Sequence, residues 1–312
     1  MDASEDHMKV RQKYPQILGP LIWRFSSAGR SFRETTAAAK KILVPKIELQ
    51  LNCIKNQKDG AVKKGAYFLL DLMINQATKK QNDLSKKDQR KLSNLIVDEA
   101  LFMLLESGPP VFFVTTFVLC EIMRHPEYIG PLRTELTAAL ALFQGEWSLK
   151  IFNHTPRLES FTKEVLRLRI PPLLTGTRYA LKDMHFPSLG TTVKAGSHVA
   201  LASFCIHLDP DHYSDPTTFD GYRFYNADSE TYNTRNAATP SENYLPFGIG
   251  VSTCPGSSIA VRICQLIIGK LLNDYDLGSM DEDVPFIQYA RWSQTPLPGL
   301  SMKIKRRQED SP

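Results

Sequence analysis

Apolar positions recur every three to four residues through most of the first half of the chain, the spacing of helices with one buried face, and the texture changes only beyond Pro171. Residues 37–54 and 66–74 carry this helical mixture, and the lysine-rich segment at residues 79–91 reads as a solvated turn region. The pattern continues over residues 95–124, restarts after His125-Pro126, and restarts again at Thr155-Pro156, where threonine suits an N-cap and proline the first helical position. In that helix Leu158, Phe161, Val165 and Leu168 form an apolar stripe. Past Pro171, short runs at residues 177–181 and 198–202 are separated by Pro187, Gly190 and Gly196, as small strands are. Residues 209–223, DPDHYSDPTTFDGYR, are an extended polar meander; residues 257–272 return to helical spacing; residues 286–306 suggest a terminal hairpin. No repeat is visible, and the fold class expected is mainly α with small β-sheets.

The run at residues 100–119, ALFMLLESGPPVFFVTTFVL, is long enough to cross a bilayer. Glu106 and the Gly108-Pro109-Pro110 break count against spanning, so a buried core helix is expected there.

At 312 residues, 42% apolar and 23% charged, the chain can bury the core of one large domain or two modest ones. A formal net charge of +5 is small for this length and comes with no aromatic-interleaved basic stripe, which disfavours nucleic acid as a partner. A docking face for an acidic protein fits that charge. The five cysteines, Cys53, Cys120, Cys205, Cys254 and Cys264, are odd in number and include no CxxC pair. They point away from a disulfide framework or zinc site and toward an intracellular protein. The N-terminal MDASEDHMKVRQKYP has no apolar segment of signal-peptide or anchor length.

Candidate chemistry sits in Phe247-Gly-Ile-Gly250-Val-Ser252-Thr-Cys254-Pro-Gly256. Gly248, Gly250 and Gly256 permit positive φ or close approach to a flat ligand, and Pro255 fixes the chain just past the sulfur, so the loop presents Cys254. Upstream, Glu164 and Arg167 stand three residues apart on one helical face, which taken alone describes an ordinary surface ion pair. Phe219-Asp-Gly-Tyr-Arg223-Phe224 then supplies another arginine.

The ordered set ExxR, Phe…Arg-Phe and FxxGxxxCxG resembles the cytochrome P-450 family of haem-thiolate enzymes, and the texture of His125-Pro-Glu-Tyr and Phe219-Asp-Gly-Tyr-Arg-Phe resembles its filamentous-fungal members. The resemblance implies that Cys254 is the proximal thiolate on the haem iron, with Phe247 shielding the sulfur and Gly250 and Gly256 allowing the close turn. The helix that follows would stabilise the thiolate with its positive end. Glu164, Arg167 and Arg223 would form a buried charge network beneath the loop, architectural rather than chemical. Arg178 matches the position of a haem-propionate donor, with a surface arginine as its plain alternative, and Pro172, Leu173, Leu174 and Thr175 would line the substrate pocket. No catalytic residue is assigned.

Three departures stand beside these matches. Ser252 occupies the position where the family usually has an arginine or histidine for a propionate, so the charge there is lost. About four helical turns before His125, where relatives carry an acid-alcohol or two-threonine pair, this chain has Pro109-Pro110-Val111, which cannot relay a proton. Thr115 and Thr116 lie about 7.5 Å further along the axis. Finally, family members are longer. The chain looks like about the C-terminal three-fifths of the fold, a single incomplete domain over residues 1–312. Residues 1–94 would be helices above the pocket, 95–124 the distal helix and 155–306 the haem-binding core.

The resemblance implies a haem-dependent monooxygenase of fungal secondary metabolism acting on a bulky apolar small molecule such as a terpenoid. NADPH would serve indirectly, through an NADPH-cytochrome reductase, at the endoplasmic reticulum membrane surface when the protein is full length. Membrane association would come only through the missing N-terminus. The alternatives are a haem-thiolate enzyme of rearrangement or dehydration, motivated by Pro109-Pro110, and a non-catalytic truncated remnant.

Overall fold

A computed structural model describes residues 25–56, 69–78, 85–226, 231–232, 236–281, 283–290 and 292–307. It falls into two compact units, Met1–Glu106 and Ser107–Pro312.

In the first unit, α1 (Ser27–Asn56) and α2 (Leu69–Thr78) close with the start of α3 (Lys86–Arg124) on a small core of Val44, Ile47, Leu51, Ile74, Ile96 and Val97. Polar side chains join the helices at its edge: Gln50 Nε2 donates to Asp71 Oδ1 (2.5 Å) and Lys40 Nζ to Asp98 Oδ2 (2.8 Å). The lysine-rich segment differs from its expected turn, because helix has begun by Lys86. Ser85 starts it, its hydroxyl accepting from the Asp88 amide and donating to the Asp88 carboxylate. Residues 66–68 and 79–84 lie outside the described residues.

Helix α3 runs through Pro109 and Pro110 without ending. Its burial is divided: the buried positions Val114, Phe117, Val118, Cys120, Ile122 and Met123 repeat at helical spacing, whereas residues 102–110 are exposed throughout. The buried core helix expected at residues 100–119 is thus realised only toward its C-terminal end. By length and composition the segment Lys87–Arg124 passes the test for a membrane-crossing helix, which core helices of soluble proteins also pass.

In the second unit, α4 (Ile129–Leu142), α5 (Pro156–Leu168) and α7 (Ser257–Asp274) surround a core that includes Phe117, Leu136, Phe152, Phe161, Val165, Tyr244, Cys264 and Ile268. A short α6 (Ser203–His207) lies between. The strands form two-stranded antiparallel sheets: β1 (Thr175–Tyr179) with β4 (His198–Leu201), β2 (Met184–Phe186) with β3 (Thr191–Val193), and β5 (Tyr225–Asn226) with β6 (Thr231–Tyr232). The expected terminal hairpin is β8 (Ile287–Ala290) with β9 (Ser293–Pro296) alone. β10 (Ile304–Arg306) instead pairs with β7 (Tyr275–Leu277), which continues directly from α7. The molecule is mainly α with small β-sheets, as its sequence pattern predicts.

The start of α5 differs from expectation in a way that matters below. Thr155 holds the cap position, yet its hydroxyl reaches back to the Phe152 carbonyl. The free amides of Arg157 and Leu158 are taken by the two carboxylate oxygens of Glu135 on α4, at 2.7 and 3.0 Å.

Candidate functional site

Helix α5 is buried at every position from Leu158 to Leu168, so its charges must find partners inside the protein. Glu164 does so completely. Arg167 grips it through Nε (2.8 Å) and Nη2 (2.7 Å), a two-pronged contact, while Arg223 Nε lies 3.1 and 3.2 Å from its two oxygens and the Asp220 amide adds a fourth donor. The remaining guanidinium donors are used as well: Arg167 Nη1 reaches the carbonyls of His207 and Pro216, and Arg223 reaches those of Ser214 and Thr218. The expectation of an ordinary surface pair for Glu164 and Arg167 taken alone is overturned, since both side chains are 0% exposed.

The aromatic segments quoted from the sequence meet beside this network. His125 stacks on Phe219 at 4.9 Å, Tyr128 sets its edge against Phe161, and the Gly221 amide donates to the Tyr128 hydroxyl.

A second buried carboxylate on α5, Glu159, ties the helix to α7. Its Oε2 receives Gln265 Nε2 (2.9 Å) and Arg262 Nη1 (3.2 Å), and its Oε1 receives the Ala237 amide (2.7 Å). Between the two carboxylates Lys163 lays its ammonium over the rings of Phe224 and Tyr244, and burial brings its pKa down to about 8 against the opposing pull of Glu159.

The cysteine loop stands at the N-terminus of α7. Gly248 and Gly250 have φ of +72° and +71°, which bends the chain into the 3-10 turn Gly250–Ser252. The Phe247 carbonyl then accepts the Cys254 amide at 2.8 Å. Gly256 differs from expectation in using no positive φ (−89°); what it supplies is room, since a Cβ there would sit 3.8 Å from the Cys254 sulfur. Phe247 is half-buried against the core, while Cys254 is exposed. No side chain caps α7, so its positive end is available to a thiolate at Cys254. Ile249 and Val251 stand exposed on the same loop, Val251 completely.

Arg178, on β1, brings its guanidinium to the Ser252 hydroxyl. The positive charge that the loop lacks in its own sequence is thereby supplied from a strand 74 residues away. Pro172 bridges to Ser293, and the Leu173 amide donates to the Trp292 carbonyl, so this segment lies along the β8–β9 hairpin. Leu174 is half-buried; Thr175 is buried and shares a hydrogen bond with Ser203.

An exposed thiol, apolar side chains beside it and a cation at the loop's rim form a donor set that fits an iron porphyrin with carboxylate arms. Among the described residues no cluster of histidine, cysteine and acidic side chains could hold a bare metal ion. In α3, Gly108 borders open space, Pro109 and Pro110 are exposed, and the Thr115 and Thr116 hydroxyls donate to the carbonyls of Val111 and Phe112. Cys264, on α7, is buried in the core, and burial raises its thiol to about 12.

Sequence reasoning missed Glu159, Glu135 and His207. The first had a usable signal: it is a charge in a helix whose apolar stripe already marked it as core. The other two act on partners that nothing nearby in the sequence announces.

A family model described as cytochrome P-450 matches residues 2–306 of the chain. The chain is 43% identical to the cytochrome P-450 monooxygenase cpsD of Aspergillus campestris over 312 residues, covering 98% of this chain and 56% of that protein. It is 34% identical to the bicoumarin synthase ktnC of Aspergillus niger, covering 96% of this chain and 72% of that protein. With the bicoumarin synthase desC of Aspergillus desertorum the identity is 33%, over 96% of this chain and 57% of that protein. The chain thus spans little more than half the length of two of these three relatives.

Proposed function

This chain belongs to the cytochrome P-450 family, and on that premise we propose that it binds haem through the Cys254 thiolate as part of a monooxygenase of fungal secondary metabolism, acting on a bulky apolar small molecule. The observation that carries the reading is the exposed Cys254 on a twice-bent glycine loop, at an uncapped helix N-terminus. When bound, the haem supplies the oxidising chemistry. The chain's own residues do the holding: the uncapped end of α7 stands beside the sulfur, Phe247 keeps water from one side of it, and Arg178 with Ser252 offers donors to a propionate. Pro172, Leu173 and Leu174 would face the substrate, with Thr175, at the start of β1, fixing the end of their segment through Ser203. The open apolar surface around Gly108 and Phe112 supports the reading of this part of α3 as the distal wall.

Electrons would come from NADPH through a reductase, at the endoplasmic reticulum surface as is usual in the family. Within the substrate class, a terpenoid skeleton rests on family habit, whereas the names of ktnC and desC favour a flat aromatic one. The test replaces Cys254 by serine in the haem-loaded protein and records the carbon monoxide difference spectrum. Loss of the thiolate-type band is expected; its retention overturns the assignment.

A second reading, haem chemistry without oxygen insertion, is favoured by Pro109-Pro110, since no hydroxyl stands there to hold a proton. The joining of two aromatic units or a rearrangement would fit. Pro110→Thr and Pro110→Ala separate the readings: general-acid assistance is typically worth about 10²–10⁴-fold, so a gain in coupling with threonine alone favours monooxygenation. Equal behaviour of the two variants favours the second reading.

A further inference from the structure

His207 is 0% exposed, at the end of α6, and both of its ring nitrogens are engaged. Nδ1 lies 2.9 Å from the Arg167 carbonyl, while the Leu245 amide donates to Nε2 at 2.7 Å. In return Arg167 Nη1 donates to the His207 carbonyl at 2.7 Å, so the two residues hold each other by a reciprocal pair. A carbonyl only accepts and an amide only donates; the proton must therefore be on Nδ1, and Nε2 must be bare.

What lies beyond Leu245 gives this contact its meaning. Pro246 has no amide hydrogen, so the Leu245 amide is the last backbone donor before Phe247 and the loop. The Leu245 carbonyl accepts Gly248 N at 3.1 Å, and the Phe247 carbonyl accepts Cys254 N at 2.8 Å. A continuous series of hydrogen bonds and two peptide units connects the arginine of the Glu164–Arg167 pair with the amide of Cys254.

We propose that His207 is a positioning residue which, as the neutral Nδ1–H imidazole, fixes the shoulder of the cysteine loop to helix α5 and so sets where the Cys254 sulfur stands. A second proton, on Nε2, would point at the Leu245 amide hydrogen. The surroundings oppose that proton: the Arg167 guanidinium is on one side, the Tyr244 ring stacks at 5.6 Å on another with the Lys163 ammonium above it, and burial holds the imidazole down to about 4. Glu164, the carboxylate that Arg167 grips, is already occupied by Arg167 and Arg223.

The proposal rests on Cys254 as the iron ligand, yet its test reads hydrogen bonds in the 312-residue chain and not turnover, so the two can fail separately. Nitrogen-15 NMR of labelled histidine at pH 7 should show His207 with a bare Nε2; an Nε2–H tautomer overturns the proposal without any variant. In hydrogen exchange, His207→Leu should speed the Leu245 and Cys254 amides by about tenfold or more, as loss of a buried partner requires. His207→Gln, which keeps one donor and one acceptor, should bring them back to within about threefold. Unchanged exchange in His207→Leu, or equal acceleration along α5, would mean that His207 is a packing residue only.

Discussion

From Leu158 to Leu168 every residue of α5 is buried, with Glu159, Lys163, Glu164 and Arg167 among them. In the middle of α3, by contrast, Phe102, Met103, Leu105 and Phe112 are 45–63% exposed. Composition would assign these helices the other way round. The α5 charges go inside because each meets a full set of partners: Glu164 has two arginines and an amide, Glu159 an arginine, a glutamine and an amide. The α3 side chains stay outside because no described residue covers them fully. Burial in this protein follows the completeness of a side chain's surroundings more closely than its polarity.

Glu164→Gln breaks the comparison where it should matter most. It leaves Arg167 and Arg223 without their carboxylate in a site that excludes water, and unfolding in urea should show a loss of about 3–5 kcal/mol. A cost under about 1 kcal/mol, the scale of a surface pair, would mean that the buried network does not brace α5.

A smaller effect concerns pH. Burial raises Glu135 to about 7 from its ordinary 4.5, against the pull of its bonds to the Arg157 and Leu158 amides, so its contribution is full below 4.5 and lost as pH rises toward 7. Burial lowers His207 to about 4 from 6.5; its contribution is full above 6.5 and lost as pH falls toward 4. Between 4.5 and 6.5 the two slopes oppose each other, each at most about 1.4 kcal/mol per pH unit. Glu135→Gln should therefore uncover a stability that rises with pH across this window, and His207→Gln one that falls. Urea midpoints measured at several pH values check both signs, and a Glu135→Gln profile matching the parent's would remove Glu135 from the account.

The smallest effect is expected in α3. Phe102→Gln, at a position 59% exposed, should change the stability of this chain by no more than about 0.5 kcal/mol. A loss above about 1 kcal/mol would show that the segment is covered in solution, which thermal unfolding can read directly.

The parts of the site that were legible in the sequence are those whose constraint is local. The exposed loop of Cys254 is announced by the glycines and proline that bend it, whereas the three-residue spacing of Glu164 and Arg167 gave a pair but placed it at the surface, and its burial followed only from the resemblance. Arg223 became readable only through the order of motifs in a known family. What could not be read depends on partners distant in sequence. Glu135 caps a helix that begins 21 residues later, displacing Thr155, whose identity as a good cap was a correct preference in the wrong setting. Ser252 suggested a lost charge, and only the fold brings Arg178 to it. The helix expected over residues 95–124 does continue through Pro109-Pro110, because a proline removes one backbone donor without forbidding the helical path on either side.

Those two prolines have a consequence for whatever covers α3. In a regular helix the amides of residues 109 and 110 would serve the carbonyls of Leu105 and Glu106; here those ladder bonds are missing on two successive rungs. On an exposed stretch water can serve both oxygens at little cost. A surface that closes over them has to bring its own hydrogen-bond donors or leave two dehydrated carbonyls, at about 1–3 kcal/mol each. A purely hydrocarbon cover, a lipid tail included, is therefore selected against at this point of the helix, and a cover carrying hydroxyl, amide or guanidinium groups is selected for.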